Sequence, residues 1–276
     1  MLPEDAKYYP KSPKEVPAFR FFYGDSSEQF CDLRLPVAGD VTPATPVVAV
    51  IHGGFWQQRW SLELMNAACD DWTLKGAVTW NIEYRRVQGS GCDGSNGGYP
   101  NTFEDIVDAF ILLESLIKGE SYVPFKNLST QSIETPEVLS KLSALNSTNV
   151  RVVGHSAGGH LALWIASKSR GTISSKIQEY TRFPKRVVSL AGVSDFDEGR
   201  HLGDDKVRVP TFLGTKDIDT LLSHVSPLHM GEFHPNCEIV SVSETTVLPN
   251  LTLLLRFWYM EVKTKTYPFH RQTNFI

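Results

Sequence analysis

The sequence has few cysteines, no large excess of charge and no long apolar run, and each absence argues against a class of protein. Its four cysteines are far apart and form no CxxC pair, a pattern that argues against a zinc site, a redox dithiol and the disulfide framework of small secreted proteins. Lysine and arginine total 27 against 31 aspartates and glutamates. A net charge of −4 gives no electrostatic reason to expect a nucleic acid or an anionic membrane as partner. No stretch approaches the roughly 20 apolar residues that span a bilayer.

The first residues also lack the apolar run of a signal peptide. They read MLPEDAKYYPKSPKE, with prolines and charges where an apolar segment would stand, and residues 1–15 are expected to form a polar tail. The sequence therefore predicts a cytoplasmic protein that acts on a small, uncharged or weakly charged molecule. Nothing in it indicates an oligomeric state.

Short β-rich segments alternate with helical patterns along the chain. Residues 46–51 (PVVAVI) form a continuous apolar, β-branched run, which is typical of a strand buried on both faces of a parallel sheet. Further strands are predicted at residues 19–23, 29–35, 77–84, 150–153, 186–190 and 238–242, and helices at 61–74, 102–117, 136–145, 157–167 and 251–263. This rhythm predicts one α/β domain over residues 1–276, with a mainly parallel central sheet and helices on both faces.

The strongest local motif is Gly154-His-Ser-Ala-Gly158, placed between a short apolar strand and a helix. In that context G-x-S-x-G predicts a nucleophile elbow, a tight strand-to-helix turn that projects the hydroxyl of Ser156 from the edge of the sheet. The N–H of Ala157 and the start of the helix would lie close by and stabilise developing negative charge.

A second motif, His52-Gly-Gly-Phe-Trp56, directly follows the PVVAVI strand. Paired glycines after a buried strand let backbone N–H groups face a ligand without obstruction, which predicts the other half of an oxyanion hole. The donors of the complete oxyanion hole are expected to be the N–H of Gly54 or of Phe55 and the N–H of Ala157. His52 is interpreted as a structural residue that bonds within the loop.

The segments HGGFW, NIEYRRV, GGYP, TFEDIVDAF, VVGHSAGGHLALW and VVSLAGVSD together resemble the α/β-hydrolase superfamily. Within it they are similar to the kynurenine formamidase-like and carboxylesterase-like branch, whose oxyanion loop reads HGG-aromatic-Trp. The similarity runs over residues 47–229. It implies an eight-stranded, mainly parallel sheet, a Ser–acid–His triad that cleaves an ester or amide, and no metal or organic cofactor.

The acid of that triad has several candidates. In this superfamily it follows a late strand, and the corresponding segment here is VSETTVLP, with threonine where an aspartate is expected. Glu244 is the nearest carboxylate, and a role as an exposed loop charge is its alternative. Asp195 and Asp197, after the preceding strand, are further candidates, for which loop capping is the expected role.

The base is the harder member to place. The histidine should follow the last strand, and His270 is the one of the eight histidines near that place. His229 and His234 fit the order only with Asp195 or Asp197 as the acid. Residues 231–276 therefore diverge from the pattern of the superfamily.

Two functional hypotheses follow. In the first, the protein is a serine hydrolase in which Ser156 attacks the carbonyl of a small ester or amide, His270 is the general base and Glu244 orients it. Trp56 and Tyr99 would line an apolar pocket for the substrate, with packing as the alternative role for each. In the second, the triad is incomplete and the protein is a weak or inactive hydrolase-fold protein that binds a ligand or partner.

Overall fold

An eight-stranded sheet organises the part of the chain that the computed structural model describes, which is residues 11–12, 14–87, 97–120, 125–127, 135–199, 201 and 205–242. Its strand order is β5-β1-β2-β4-β3-β6-β7-β8. The strands are β1 (Phe19–Phe22), β2 (Phe30–Arg34), β3 (Val47–Ile51), β4 (Val78–Ile82), β5 (Phe125–Asn127), β6 (Val150–His155), β7 (Arg186–Leu190) and β8 (Glu238–Val242).

The sheet changes character between its two halves. Strands β5, β1, β2 and β4 pair antiparallel, whereas β4, β3, β6, β7 and β8 pair parallel. Because the carboxyl ends of parallel strands meet at one edge of a sheet, the loops that leave β3, β4, β6 and β7 converge there.

Helices cover both faces of the parallel half. They are α1 (Asn66–Leu74), α2 (Asn101–Ile117), α3 (Thr135–Ser143), α4 (Ala157–Ala166), α5 (Ser175–Glu179), α6 (Phe196–Gly199), α7 (Asp205–Leu213) and α8 (Leu222–Val225). All five residues of β3 are buried, and they alternate between two hydrophobic clusters. Val48 and Val50 pack in the cluster that contains Trp72 of α1, while the alternate residues pack in the cluster that contains α2 and α4. The continuous apolar run therefore has its expected cause, burial on both sides.

The predicted elements are largely confirmed. Every predicted strand is present, and a short helix lies in the polar insertion, as α3. Ser61 caps a 3-10 turn at Leu62–Met65 that leads into α1, with its hydroxyl accepting from the Glu63 N–H. Strand β5 and helices α5 to α8 were not predicted, and the helix predicted at 251–263 lies outside the described residues. None of the helices in the described ranges is long and apolar enough to cross a bilayer.

Candidate active site

Ser156 occupies the sharp turn between β6 and α4. Its backbone has φ 53° and ψ −118°, a left-handed φ that strains any residue with a Cβ. The Ser156 N–H donates to the Leu190 carbonyl of β7 at 2.8 Å, which holds the turn against the neighbouring strand. The predicted elbow geometry is therefore present.

Two glycines allow this turn to be so tight. A Cβ placed on Gly154 would lie 2.0 Å from the Gly158 carbonyl oxygen, and one on Gly158 would lie 2.1 Å from the Ile51 carbonyl oxygen. Both distances are far shorter than atomic contact allows. Side chains at these positions would push α4 away from β6 and β3, so the glycines fix how closely the helix approaches the sheet.

The loop of residues 52–56, called the HGG loop below, packs directly against this turn. A Cβ on Gly53 would lie 2.7 Å from the His155 carbonyl oxygen and 3.1 Å from Ser156 Cβ. Gly54, Phe55 and Trp56 then take three consecutive positive φ values, 109°, 55° and 57°. This run of left-handed residues is a concentration of backbone strain, which is typical of functional loops.

The backbone N–H groups expected to form the oxyanion hole remain available. Within the part of the chain that the structure describes, the N–H groups of Gly54 and Phe55 donate to no backbone carbonyl, whereas the Gly54 carbonyl accepts from Gln57 at 3.0 Å. Ala157 is the first residue of α4, so its N–H has no partner within the helix. Two loops from adjacent strands thus bring to the neighbourhood of Ser156 N–H groups that have no backbone acceptor among the described residues.

Comparison with solved structures gives the fold. Esterase B from Lactobacillus rhamnosis matches 82% of this chain with a TM-score of 0.58 and 19% sequence identity. The chain has the α/β-hydrolase fold. A putative thioesterase from Silicibacter sp. tm1040 covers 88% of the chain with a TM-score of 0.52 and 16% identity. The Francisella virulence factor BioJ covers 90% of it with a TM-score of 0.54 and 14% identity.

These likenesses concern the fold. The chain spans 66% of the length of esterase B, 76% of the thioesterase and 83% of BioJ. No protein-family model matches the sequence, and no curated protein sequence matches it.

In this α/β-hydrolase fold a buried contact between His52 and Glu83 lies at the start of the HGG loop. His52 is fully buried, its Nε2 lies 2.8 Å from Glu83 Oε1, and its Nδ1 lies 2.8 Å from the Gly53 carbonyl oxygen. The contact follows from sheet register, because β3 and β4 are parallel with Ile51 opposite Ile82, so the next residues, His52 and Glu83, leave the sheet side by side. Sequence reasoning predicted that His52 is structural but missed Glu83, whose signal is a carboxylate directly after a buried strand.

The two predicted substrate-binding aromatics lie in different surroundings. Trp56 is fully buried and stacks on Phe212 of α7, with ring centroids 4.3 Å apart, and its ring meets that of His160 edge-on at 5.4 Å. Tyr99 is partly exposed and packs edge-on against Phe103 at 6.1 Å. Burial raises the pKa of Tyr99 above its ordinary value. Trp56, the last residue of the HGG loop, therefore anchors the loop in the core through its buried ring, and Tyr99 is the more accessible ring.

His160 lies one turn after the nucleophile but does not face it. Its Nε2 is 2.8 Å from the Val225 carbonyl oxygen of α8, and the side chain is fully buried. Burial lowers the pKa of His160 to about 3, so the ring is neutral at physiological pH. The prediction that His160 is a packing and hydrogen-bonding residue agrees with this geometry.

The alternative acid and base residues form a local cluster after β7. Asp195 Oδ1 accepts from the N–H groups of Asp197 and Glu198 at 2.9 and 3.1 Å, which caps the short helix α6 in the expected way. His229 Nδ1 lies 3.0 Å from Ser226 Oγ and 3.8 Å from Asp195 Oδ1. His229 therefore bonds within the loops that follow β7. Among the described residues it makes no hydrogen bond to Ser156.

The predicted acid and base are the two site residues whose position is not described. Glu244 and His270 both lie in residues 243–276, outside the described ranges. Strand β8 ends at Val242, so Glu244 follows the edge strand of the described sheet by two residues. Ser156 and Ala157 lie on the turn against which Gly53 packs, and Gly54 and Phe55 follow Gly53 in the same loop. The roles of all these residues, and of Glu244 and His270, stay predictions.

Proposed function

We propose that this protein is a serine hydrolase that cleaves small esters or amides through an acyl-enzyme. One observation carries the proposal: a serine on a strained strand-to-helix turn, at φ 53°, lies against a loop in which the Gly54 and Phe55 N–H groups donate to no backbone carbonyl of the described residues. Strain of this kind persists only where the surrounding structure enforces it, and a hydroxyl beside anion-binding donors is the arrangement that acyl transfer needs.

The proposed mechanism follows the roles of those groups. Ser156 Oγ attacks the substrate carbonyl carbon while a histidine takes its proton, and the carbonyl oxygen becomes an oxyanion. That oxyanion accepts hydrogen bonds from the Ala157 N–H and from Gly54 or Phe55. Collapse of the tetrahedral intermediate expels the alcohol or amine, which receives the proton from the histidine. Water then attacks the acyl-enzyme by the same route and regenerates the serine.

His270 and Glu244 are the proposed base and acid. Both follow β8 in the chain, and the order Ser–acid–His is the one this fold uses. Among the described histidines, His52, His160 and His229 are each bonded to other groups, which argues against these three as the base.

A short acyl group is the proposed substrate feature. One structure of esterase B from Lactobacillus rhamnosis is of a tributyrin phosphonate-inhibited form, which makes short-chain esters the first compounds to assay here. Formanilides are the second set, because the HGG loop resembles that of the kynurenine formamidase-like branch. Tyr99, partly exposed, is the proposed contact for an aromatic leaving group, whereas Trp56 would act by anchoring the HGG loop in the core.

Labelling by a fluorophosphonate probe tests the proposal. The probe reacts only with an activated serine, so we expect labelling of the wild-type protein and none of Ser156→Ala. Turnover of p-nitrophenyl butyrate should disappear in the same variant. Absence of labelling in a protein with native circular dichroism would contradict the proposal and favour the non-catalytic, ligand-binding alternative.

The base and acid are tested by three matched substitutions. His270→Gln and Glu244→Gln should each lower kcat about 10³-fold or more, which is the range for removal of a triad member. His229→Gln is the control, since His229 contacts Ser226 and Asp195, and we expect it to retain activity within about threefold. Loss of activity in His229→Gln alone would contradict the assignment of His270 and would identify His229 as the general base.

A further inference from the structure

Both ring nitrogens of His52 face groups that accept hydrogen bonds. Nδ1 is 2.8 Å from the Gly53 carbonyl oxygen, and a carbonyl oxygen has no proton to give. Nδ1 must therefore carry a hydrogen. Nε2 is 2.8 Å from Glu83 Oε1, so the charge state of His52 depends on whether Glu83 is ionised.

The surroundings of Glu83 favour its ionised form. Its carboxylate accepts from the Leu62 N–H at 3.1 Å and from the Tyr84 N–H at 3.1 Å, and Arg86 Nε lies 3.3 Å from Oε1. An ionised carboxylate only accepts, so Nε2 of His52 also carries a hydrogen.

The charges around the pair then balance. Arg86 pairs with Glu83 and with Glu28, whose Oε1 is 2.7 Å from the Arg86 guanidinium. With His52 as a cation, the network reads His52, Glu83, Arg86, Glu28, so that positive and negative groups alternate and the net charge is zero. With His52 neutral, a buried network would carry an excess negative charge, which is costly in a low-dielectric interior. Tyr84 adds an uncharged contact: its ring stacks on His52 at 4.3 Å and its hydroxyl donates to the His52 carbonyl.

The hydrogen bond to the Gly53 carbonyl bears directly on the HGG loop. The peptide that joins Gly53 to Gly54 is planar and trans, so its C=O and N–H point in opposite directions. Anchoring the Gly53 carbonyl on the buried His52 ring turns the Gly54 N–H away from that ring. Gly53 itself lies against Ser156, so the freed N–H belongs to the part of the loop beside the nucleophile.

We propose that His52 is a buried imidazolium, paired with Glu83, that positions the Gly54 N–H as an oxyanion donor. The proposal rests on the function proposed above, since an oxyanion forms only if Ser156 reacts. His52 is a positioning residue: it acts through the Gly53–Gly54 peptide and does not touch the substrate. Its positive charge, one peptide away from the developing oxyanion, adds to the stabilisation given by the donor.

The charge state is tested by NMR of protein labelled with ¹⁵N in its histidine rings, with His52 assigned from the spectrum of His52→Gln. We expect both ring nitrogens of His52 to be protonated at neutral pH in the wild-type protein. In Glu83→Gln, whose side-chain amide replaces the carboxylate, one nitrogen should lose its proton. An unprotonated ring nitrogen on wild-type His52 at neutral pH would overturn the proposal.

The positioning role is tested by kinetics on p-nitrophenyl butyrate. Glu83→Gln should lower kcat about tenfold with little change in KM, less than the roughly 10²–10³-fold loss from complete removal of an oxyanion donor. Tyr84→Phe is the matched control, because it removes a hydrogen bond to His52 but leaves the ion pair, and kcat should stay within about twofold. Equal kcat values for the two variants would overturn the positioning role.

Failure of this proposal is distinguishable from failure of the proposed function. The NMR experiment reads the charge on His52 whether or not Ser156 is reactive. Fluorophosphonate labelling of the wild-type protein reads the reactivity of Ser156 whatever the charge on His52. An unreactive Ser156 would also overturn the positioning role, and a labelled protein with neutral His52 would overturn this proposal alone.

Discussion

His160 shows how burial determines the ionisation of a single residue. The ring stacks on Phe196 with centroids 4.5 Å apart, and its Nε2 bonds to the Val225 carbonyl oxygen. The described residues around the ring offer it a hydrogen-bond acceptor but no carboxylate, and burial lowers the pKa of His160 to about 3. The ordinary pKa of histidine, about 6.5, applies once the chain unfolds.

The stability of the protein should therefore depend on pH through His160. Below about pH 6.5 the unfolded chain binds a proton at this position that the folded chain does not, so stability falls as pH falls and is constant above that range. From about pH 7.5 to about pH 5.5 the contribution of His160 to the free energy of unfolding should drop by about 1.4 kcal/mol. Urea denaturation at both pH values measures it. His160→Gln, which keeps a donor for Val225, should lack this part of the pH dependence, and an identical pH dependence in both proteins would contradict the expectation.

Arg170 is a buried cation that, within the described part of the chain, is held by carbonyl oxygens and not by a carboxylate. It is almost fully buried, donates to the carbonyls of Ile165, Tyr180 and Arg182, and lies over the Phe183 ring at 3.9 Å. Burial lowers its pKa to about 10. Arg170→Met should lower the free energy of unfolding by about 3 kcal/mol, because the carbonyl oxygens at the ends of α4 and α5 would lose their hydrogen-bond donor. Thermal and urea unfolding measure this loss, and a cost below about 1 kcal/mol would show that the carbonyls find other donors.

At the scale of elements, the approach of α4 to the sheet depends on the absence of a side chain. Gly158→Ala would place a Cβ 2.1 Å from the Ile51 carbonyl oxygen, and backbone on both sides would have to move. We expect a loss of about 3 kcal/mol in the free energy of unfolding. Gly119→Ala is the control, since a Cβ there meets nothing within 4 Å and only the positive φ of 71° opposes it. Its cost should be about 1 kcal/mol, and equal costs in urea denaturation would contradict the close-approach explanation.

The elements that sequence reasoning predicted share a physical property. The strand at Val47–Ile51 is apolar on both faces because both faces are buried, and the turn at Ser156 is flanked by glycines because a Cβ would collide with neighbouring backbone. Helices α6 and α8 have four residues each, too few for a periodic pattern. The contact of His52 with Glu83 depends on the register between β3 and β4, which no local pattern encodes.

At the scale of the whole molecule, the sheet should differ in stability from its centre to its edge. Strand β3 is paired on both sides, by β4 and β6, whereas among the described strands β8 pairs only with β7. Hydrogen exchange followed by mass spectrometry should show the slowest exchange in Val47–Ile51 and faster exchange in Glu238–Val242, because unpaired edges open locally. Equal protection of the two strands would contradict this ranking and would indicate that further chain covers the outer side of β8.

The glycines around Ser156 have a consequence for how the proposed activity could be lost over many generations. Gly154 and Gly158 are needed because backbone passes close to each of them, and this need is independent of catalysis. A descendant that no longer hydrolysed anything would still unfold if they were replaced, so purifying selection for a folded chain would preserve most of the GHSAG signature. Positions that are not needed for packing would accumulate substitutions first. Because packing alone would conserve these glycines, the motif by itself is evidence for the fold. Evidence for catalysis must come from residues whose replacement would leave the chain folded.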